Sequence, residues 1–161
     1  MADTIVIKGV SARRLKEEAE RLNLRLDEYL LNLLTQNLDP RDRAKEYIEA
    51  SEELLTEARK KLEKGNVRQA TEKVWGSAAL AVKAYASWKD GKRLTSHKEL
   101  WKYKRKLEEE LGDWVYDAWM AANGMHTCFY EDWCTEKDVE EALTRVKKLV
   151  EEIKQRVLQT S

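Results

Sequence analysis

PRDRAKEYIEASEELLTEARKKLEK, residues 40–64, is the stretch that decides the fold. Its apolar and small residues, Ala44, Tyr47, Ile48, Ser51, Leu54, Leu55, Ala58 and Leu62, recur every three or four positions with charged residues between them. That is the period of a helix burying one side, sustained over roughly six turns, the length of a bundle helix rather than a short connector. Asp39-Pro40 opens it, with Asp as N-cap and Pro at the first helical position, where its missing N–H costs nothing. Gly65 closes it.

The same punctuation repeats downstream. Asn66-Val-Arg-Gln69 is a capping-box signature that opens a second long helix, with a stripe of Ala70, Val74, Trp75, Ala78, Val82 and Tyr85 running to about Trp88. Ser96-His-Lys-Glu99 opens a third, with Leu100, Trp101, Leu107 and Leu111 on its apolar side, closed by Gly112. Asp113 starts a fourth. Thr135-Glu-Lys-Asp138 opens the last, in which Val139, Ala142, Val146, Val150, Ile153 and Val157 face inward. Five helices joined by short loops predict an all-α, antiparallel up-down helical bundle over residues 39–161. Gly76 and Gly124 lie inside helices, each costing about 1 kcal/mol relative to Ala. A close crossing of the second and fourth bundle helices at these two residues is the expected compensation.

Residues 1–38 read differently. Thr4-Ile-Val-Ile-Lys8 alternates as a short strand ending at Gly9, and Ser11 is placed to cap a helix carrying Leu15, Ala19 and Leu22. Asn23 breaks that helix before another with Leu26, Tyr29, Leu30, Leu33 and Leu34. A strand-helix-helix arm serving dimerisation, with its leucines covered by the bundle, is the expectation.

Composition bounds what the chain does. At 161 residues and 42% hydrophobic content it can bury one good core and carry a small appendage. Its 37% charged residues, single Pro and six Gly favour long helices. The abundance of Glu, Lys and Arg fits a thermophile's ion-pair networks and fits a mesophile's helical protein as well. The first 30 residues lack the order of a signal peptide, and the longest apolar run, Ala78 to Val82, stops at Lys83. A cytoplasmic protein with no membrane partner is expected. Cys128 and Cys134, six apart, would point to different sides of a helix, so no disulfide is expected between them.

The zero net charge conceals an asymmetry. Residues 89–106 hold eight Lys or Arg against Asp90 and Glu99, whereas residues 107–161 hold 13 acids against 6 bases. A basic segment interleaved with Trp101 and Tyr103 matches a phosphate-backbone surface with stacking faces; opposite charge on neighbouring helices equally serves a salt-bridged bundle or homodimer.

The candidate site residues follow. On the fourth bundle helix Trp119, Asn123, His126 and Tyr130 share a face at steps of 4, 3 and 4. His126 there fits a general acid or base, a phosphate donor, or a structural histidine satisfied by Asn123 or a backbone carbonyl. His97 sits in the first turn of a capped helix, where anions are attracted, with Arg93 and Lys92 beside it as further phosphate ligands. Glu72 and Lys83 fall on one face with Gly76 and Ala79 and are read as a packing or salt-bridge pair at a helix crossing. His126, Cys128 and Cys134 fit no structural zinc spacing, so no metal is expected. No phosphate loop, serine triad or carboxylate dyad appears, and no cofactor is expected.

Three blocks carry a resemblance. Residues 69–85 (QATEKVWGSAALAVKAY), 96–101 (SHKELW) and 122–131 (ANGMHTCFYE) resemble, in order, the PaREP family of archaeal paralogous proteins, over about three quarters of the chain. That family is grouped with HEPN-like helical bundles. The resemblance implies a four-to-five-helix up-down domain that dimerises, with no defined activity. HEPN relatives that cut RNA have an Arg, then four to six intervening residues, then a His. Here the corresponding positions hold Trp119, Met120 and Ala121 before His126, and Asp90, Gly91 and Lys92 before His97, while Arg93 is one residue too close. Without that cation the transition-state charge lacks its stabiliser. The expectation is a non-enzymatic homo-oligomeric binding module for a nucleotide or RNA; the alternative is a degenerate ribonuclease centred on His126, Asn123 and Tyr130. The arm is similar in spacing to ribbon-helix-helix repressors, which implies Thr4, Val6 and Lys8 toward DNA and Ile5 and Ile7 toward the core. Its near-balanced charge is poor for gripping phosphates.

Overall fold

The computed structural model describes residues 4–159, and the described residues are all-helical, with no strand. The elements are α1 (Gly9–Arg21), α2 (Leu26–Leu34), α3 (Pro40–Glu63), α4 (Val67–Asp90), α5 (His97–Leu111), α6 (Trp114–Glu131) and α7 (Glu136–Gln159). Two compact units are separable, residues 1–37 and 38–161.

In the second unit the punctuation acts as the sequence requires. The Asp39 side chain accepts from Arg41 N, that of Asn66 from Gln69 N at 3.2 Å, and that of Ser96 from Glu99 N at 3.2 Å. Thr135 and Asp138 close a reciprocal box, each side chain accepting from the other's backbone N–H. Gly65 takes φ +78, a left-handed value that a side chain would oppose, and ends α3 with Asn66 N bonded to Lys61 O. α4 runs to Asp90, two residues past the expected end, and stops at Gly91 with φ +64.

α4 is the axle of this unit and packs against each of α3, α5, α6 and α7. Between Val74 and Ser87 every residue is buried, not only the stripe the period marked. Ala, Gly and Ser recur around its circumference, so neighbours can approach from every side. α3 lies antiparallel to it. Ser51 and Ser77 hydroxyls each donate to the other's carbonyl at 2.7 and 2.8 Å, and Arg43 Nε reaches Ser87 Oγ at 3.1 Å. α7 adds Val139, Val146, Leu149, Val150, Ile153 and Val157, all essentially buried, and joins α3 through Lys154–Glu52 at 2.9 Å. Burying such side chains contributes about 1.5–3 kcal/mol each.

Several expectations are corrected. A methyl group added at Gly124 would meet nothing within 4 Å, so that glycine does not sit at a close crossing. Gly76 is buried, and beside it Ser77 meets Ser51 of α3. Glu72 and Lys83 stand 11 residues apart on α4, about 16 Å along the axis, too far to pair with each other. Lys83 is 2% exposed.

Cys128 and Cys134 form a disulfide, with Cα atoms 5.7 Å apart. Helical geometry misled here because α6 ends at Glu131: Asp132 turns left-handed at φ 53 and brings Cys134 back over the last turn. The bond also removes both sulfurs as thiolate ligands.

In the first unit, residues 4–8 run without a ladder and Lys8, not Ser11, occupies the N-cap of α1, with no side-chain cap bond. A strand is stable only when a neighbour takes its backbone groups, and one chain offers none here. Asn23 ends α1 with φ 57, as expected. Leu33 and Leu34 are exposed.

Candidate functional site

The site is organised by α5, whose two sides differ completely. His97, Trp101 and Lys104 recur on one side; Glu99, Lys102, Tyr103 and Lys106 lie opposite.

The first side meets α4 and α6 in an aromatic cluster. His126 stacks on Trp75 with ring centroids 4.9 Å apart, and His97 lies 5.3 Å from the same indole. The two imidazoles, the chain's only histidines, are 5.0 Å apart. Tyr130 sets its edge against His126 at 5.3 Å. Below them Trp119 is fully buried between Trp75 and Trp101, at 5.2 and 5.8 Å. Its indole N–H is among the few buried polar groups with no acceptor, a penalty of about 1–3 kcal/mol that the ring's burial must outweigh. The expected row on α6 therefore runs from core to surface: Trp119 buried, Asn123 and His126 half-buried, Tyr130 64% exposed. The Asn123 side chain makes no hydrogen bond among the described residues; the backbone carbonyl of Asn123 accepts from Thr127 Oγ1. Two half-buried imidazoles on an indole face, open beside an exposed phenol, suit a planar or anionic ligand and can trade protons with it.

The second side opens into a cleft of about 500 Å³ lined by Lys92, Arg93, Leu94, Glu99, Lys102, Tyr103 and Lys106. Four cations face one Glu there. Lys106 donates to Asp90 Oδ2 at 2.5 Å and the Tyr103 hydroxyl donates to the same oxygen at 2.6 Å. These bonds, that from Lys106 first, hold the Asp90 carboxyl below the usual aspartate range. Burial, reinforced by Asp90, pushes the Tyr103 phenol up. Tyr85, also buried, is raised the same way beside Glu110, to which it donates. Lys92 and Lys102 make no close ion pair among the described residues, although the charge of Lys92 also helps to hold the Asp90 carboxyl down.

The structure thus divides what the sequence grouped. Arg93 and Lys92 enter the cleft, while His97 turns to the opposite side and joins His126, a convergence the sequence reading did not make. Trp101 and Tyr103 are no stacking platform: Tyr103 is buried, and Trp101 packs on Trp119 under Lys104. Glu72 and Lys83 line neither place. Lys102 and Lys106 were legible only as members of a basic run; their spacing of four, three beyond Glu99, was the signal that they share one face.

Among the described residues no group of three or more His, Cys, Asp or Glu could hold a metal ion, and no helix is long and apolar enough to cross a membrane.

Comparison with known proteins places the bundle in a family. Residues 46–150 match the model of the archaeal PaREP1/PaREP8 family. A crystal structure of a protein from Sulfolobus solfataricus is similar at 26% identity with a TM-score of 0.56, over 66% of this chain and 94% of the solved one. No curated protein matches.

Proposed function

The chain belongs to the archaeal PaREP1/PaREP8 family, and we propose that it is a non-enzymatic, homo-oligomeric module of the HEPN-like bundle type that holds a nucleotide or RNA segment by its phosphates. The observation that carries this reading is the cleft beside α5, where Lys92, Arg93, Lys102 and Lys106 converge on a space of about 500 Å³. That volume falls in the ordinary range for ligand sites, roughly 300–1,000 Å³. Lys92 and Lys102 form no close ion pair among the described residues, and each phosphate bound releases counterions. The disulfide agrees with a cytoplasmic home in a thermophilic archaeon, where intracellular disulfides are common.

The test is fluorescence anisotropy of labelled single-stranded RNA and of a nucleotide, across a salt series. Binding should weaken as salt rises, with a slope of about −0.7 per phosphate contacted. Lys92→Glu combined with Lys102→Glu should weaken it at least about tenfold, roughly 1.4 kcal/mol, without moving the melting temperature. Binding that ignores both salt and the double substitution removes the reading.

A second reading is favoured by one observation, the 5.0 Å approach of His97 and His126. One imidazole would take the proton from a ribose 2′-hydroxyl while the other protonates the departing 5′-oxygen, which is ribonuclease chemistry without a metal. RNA cleavage lost in both His97→Ala and His126→Ala would establish it. Salt-sensitive binding with no cleavage supports the first reading.

A further inference from the structure

The cleft beside α5 is more selective than a basic patch. Lys92 and Arg93 reach it from the segment between α4 and α5, and Lys102 and Lys106 from successive turns of α5, about 6 Å apart along the axis. Four cations meet in a space of about 500 Å³. The one carboxylate in the lining is already engaged: Glu99 Oε2 accepts from Thr95 N at 2.7 Å, which ties it to the start of its own helix. Nothing in the lining suits a base. Reading a base takes an exposed ring to stack on, or amide and hydroxyl groups aimed at its edge. The cleft's one ring, Tyr103, is 6% exposed and donates its hydroxyl to Asp90, and its one aliphatic side chain, Leu94, is buried as well. His97 and Tyr130, whose rings are open enough to stack on a base, belong to the aromatic cluster on the opposite side of α5.

The chemistry of the ligand follows from how closely its charges must be spaced. An RNA strand carries one charge per nucleotide, so to satisfy these cations it would have to place several nucleotides, each with an unrecognised base, in the same small space. A condensed phosphate carries its charges on directly linked groups and needs no partner for a base. An oxyanion is already accommodated at the rim: Asp90 Oδ2 accepts from Lys106 at 2.5 Å and from the Tyr103 hydroxyl at 2.6 Å. A phosphate arriving there competes with Asp90 for Lys106, so only a ligand of high local charge recruits all four cations.

The geometry points to a site for a short condensed phosphate, free or as the tail of a nucleotide, held by its phosphate chain without regard to the base. This rests on the phosphate-binding reading above and narrows it. The experiment is isothermal titration calorimetry of the full chain with tripolyphosphate, ATP, GTP, CTP, UTP, AMP, inorganic phosphate and a short 5′-hydroxyl RNA. Tripolyphosphate and the triphosphates should bind within about threefold of one another, and AMP, inorganic phosphate and the RNA at least about tenfold more weakly, since they present fewer adjacent charges. Lys102→Glu should weaken tripolyphosphate at least about tenfold, and Asp90→Asn, which releases Lys106, should tighten it. Lys60→Glu is the control, exposed on α3 and roughly 30 Å along that helix from Pro40, which lies against Gly91; it should change nothing. Tripolyphosphate bound without the nucleotides upholds the site and confines it to the free chain. Affinities that differ more than about tenfold between bases, or AMP bound as tightly as ATP, overturn this inference and leave the phosphate-binding reading standing. RNA bound more tightly than tripolyphosphate does the same in favour of a strand. No gain in Asp90→Asn overturns the part given to Lys106. Binding of none of these compounds overturns both readings.

Discussion

One side of α5 presents Glu99, Lys102 and Lys106 to a cleft, and the other presses His97 and Trp101 against indoles from α4 and α6. The residues are interleaved along a single turn-by-turn period, yet they answer to different physics. On the aromatic side the energy lies in buried area and contact, so truncation should be felt as lost stability. On the charged side the side chains remain hydrated and hold little folding energy, so substitution should be felt as lost attraction for an anion. A helix of this kind lets a binding surface vary while the packing beneath stays fixed.

The sharpest way to break that contrast is at Trp119. Trp119→Ala should cost about 3–5 kcal/mol in urea denaturation, because the ring is fully buried between Trp75 and Trp101. Anion binding by the folded fraction should be unchanged. A loss under about 1 kcal/mol would mean that the aromatic side is not core.

A smaller effect separates the two sides by pH. Because Lys106 and Tyr103 hold the Asp90 carboxyl below its usual range, the stability it contributes is complete above the ordinary aspartate pKa. It disappears as pH falls through the lowered folded value. Asp90→Asn should cost about 1 kcal/mol at neutral pH and flatten that part of the acid-side decline. An unchanged acid profile would show that Lys106 is not held by Asp90 and is free for ligand. The smallest effect belongs to Asn123. Asn123→Ala should shift stability by less than about 0.5 kcal/mol, since its side chain makes no hydrogen bond among the described residues. A larger loss would reveal a partner that forms in solution.

What the sequence disclosed, and what it hid, divides along the same physical line. Boundaries of the bundle helices were legible because Asp39, Asn66, Ser96 and Thr135 satisfy local N–H groups, and Gly65, Gly91 and Gly112 stop helices by their own backbone freedom. The inward stripe of α7 was legible because one face is buried and the other wet. α4 exceeded its stripe, since small residues report the room left for neighbours only once the neighbours are placed. The candidate site was half-visible. Position in the chain put His97 beside Arg93, but its direction on α5 put it beside His126, and only tertiary packing joins residues 75, 97 and 126. The strand at residues 4–8 and the separate cysteines failed for a shared reason. A strand needs a neighbour, and the angle between two cysteines depends on where the helix between them stops.

The central helix α4 carries one more consequence. Since each of the other four bundle helices rests on it, none can leave without uncovering part of it, while the remaining three still cover the rest. Its amide hydrogens should accordingly be the slowest in the molecule to exchange with deuterated solvent, the last of them leaving only when the whole bundle opens at once.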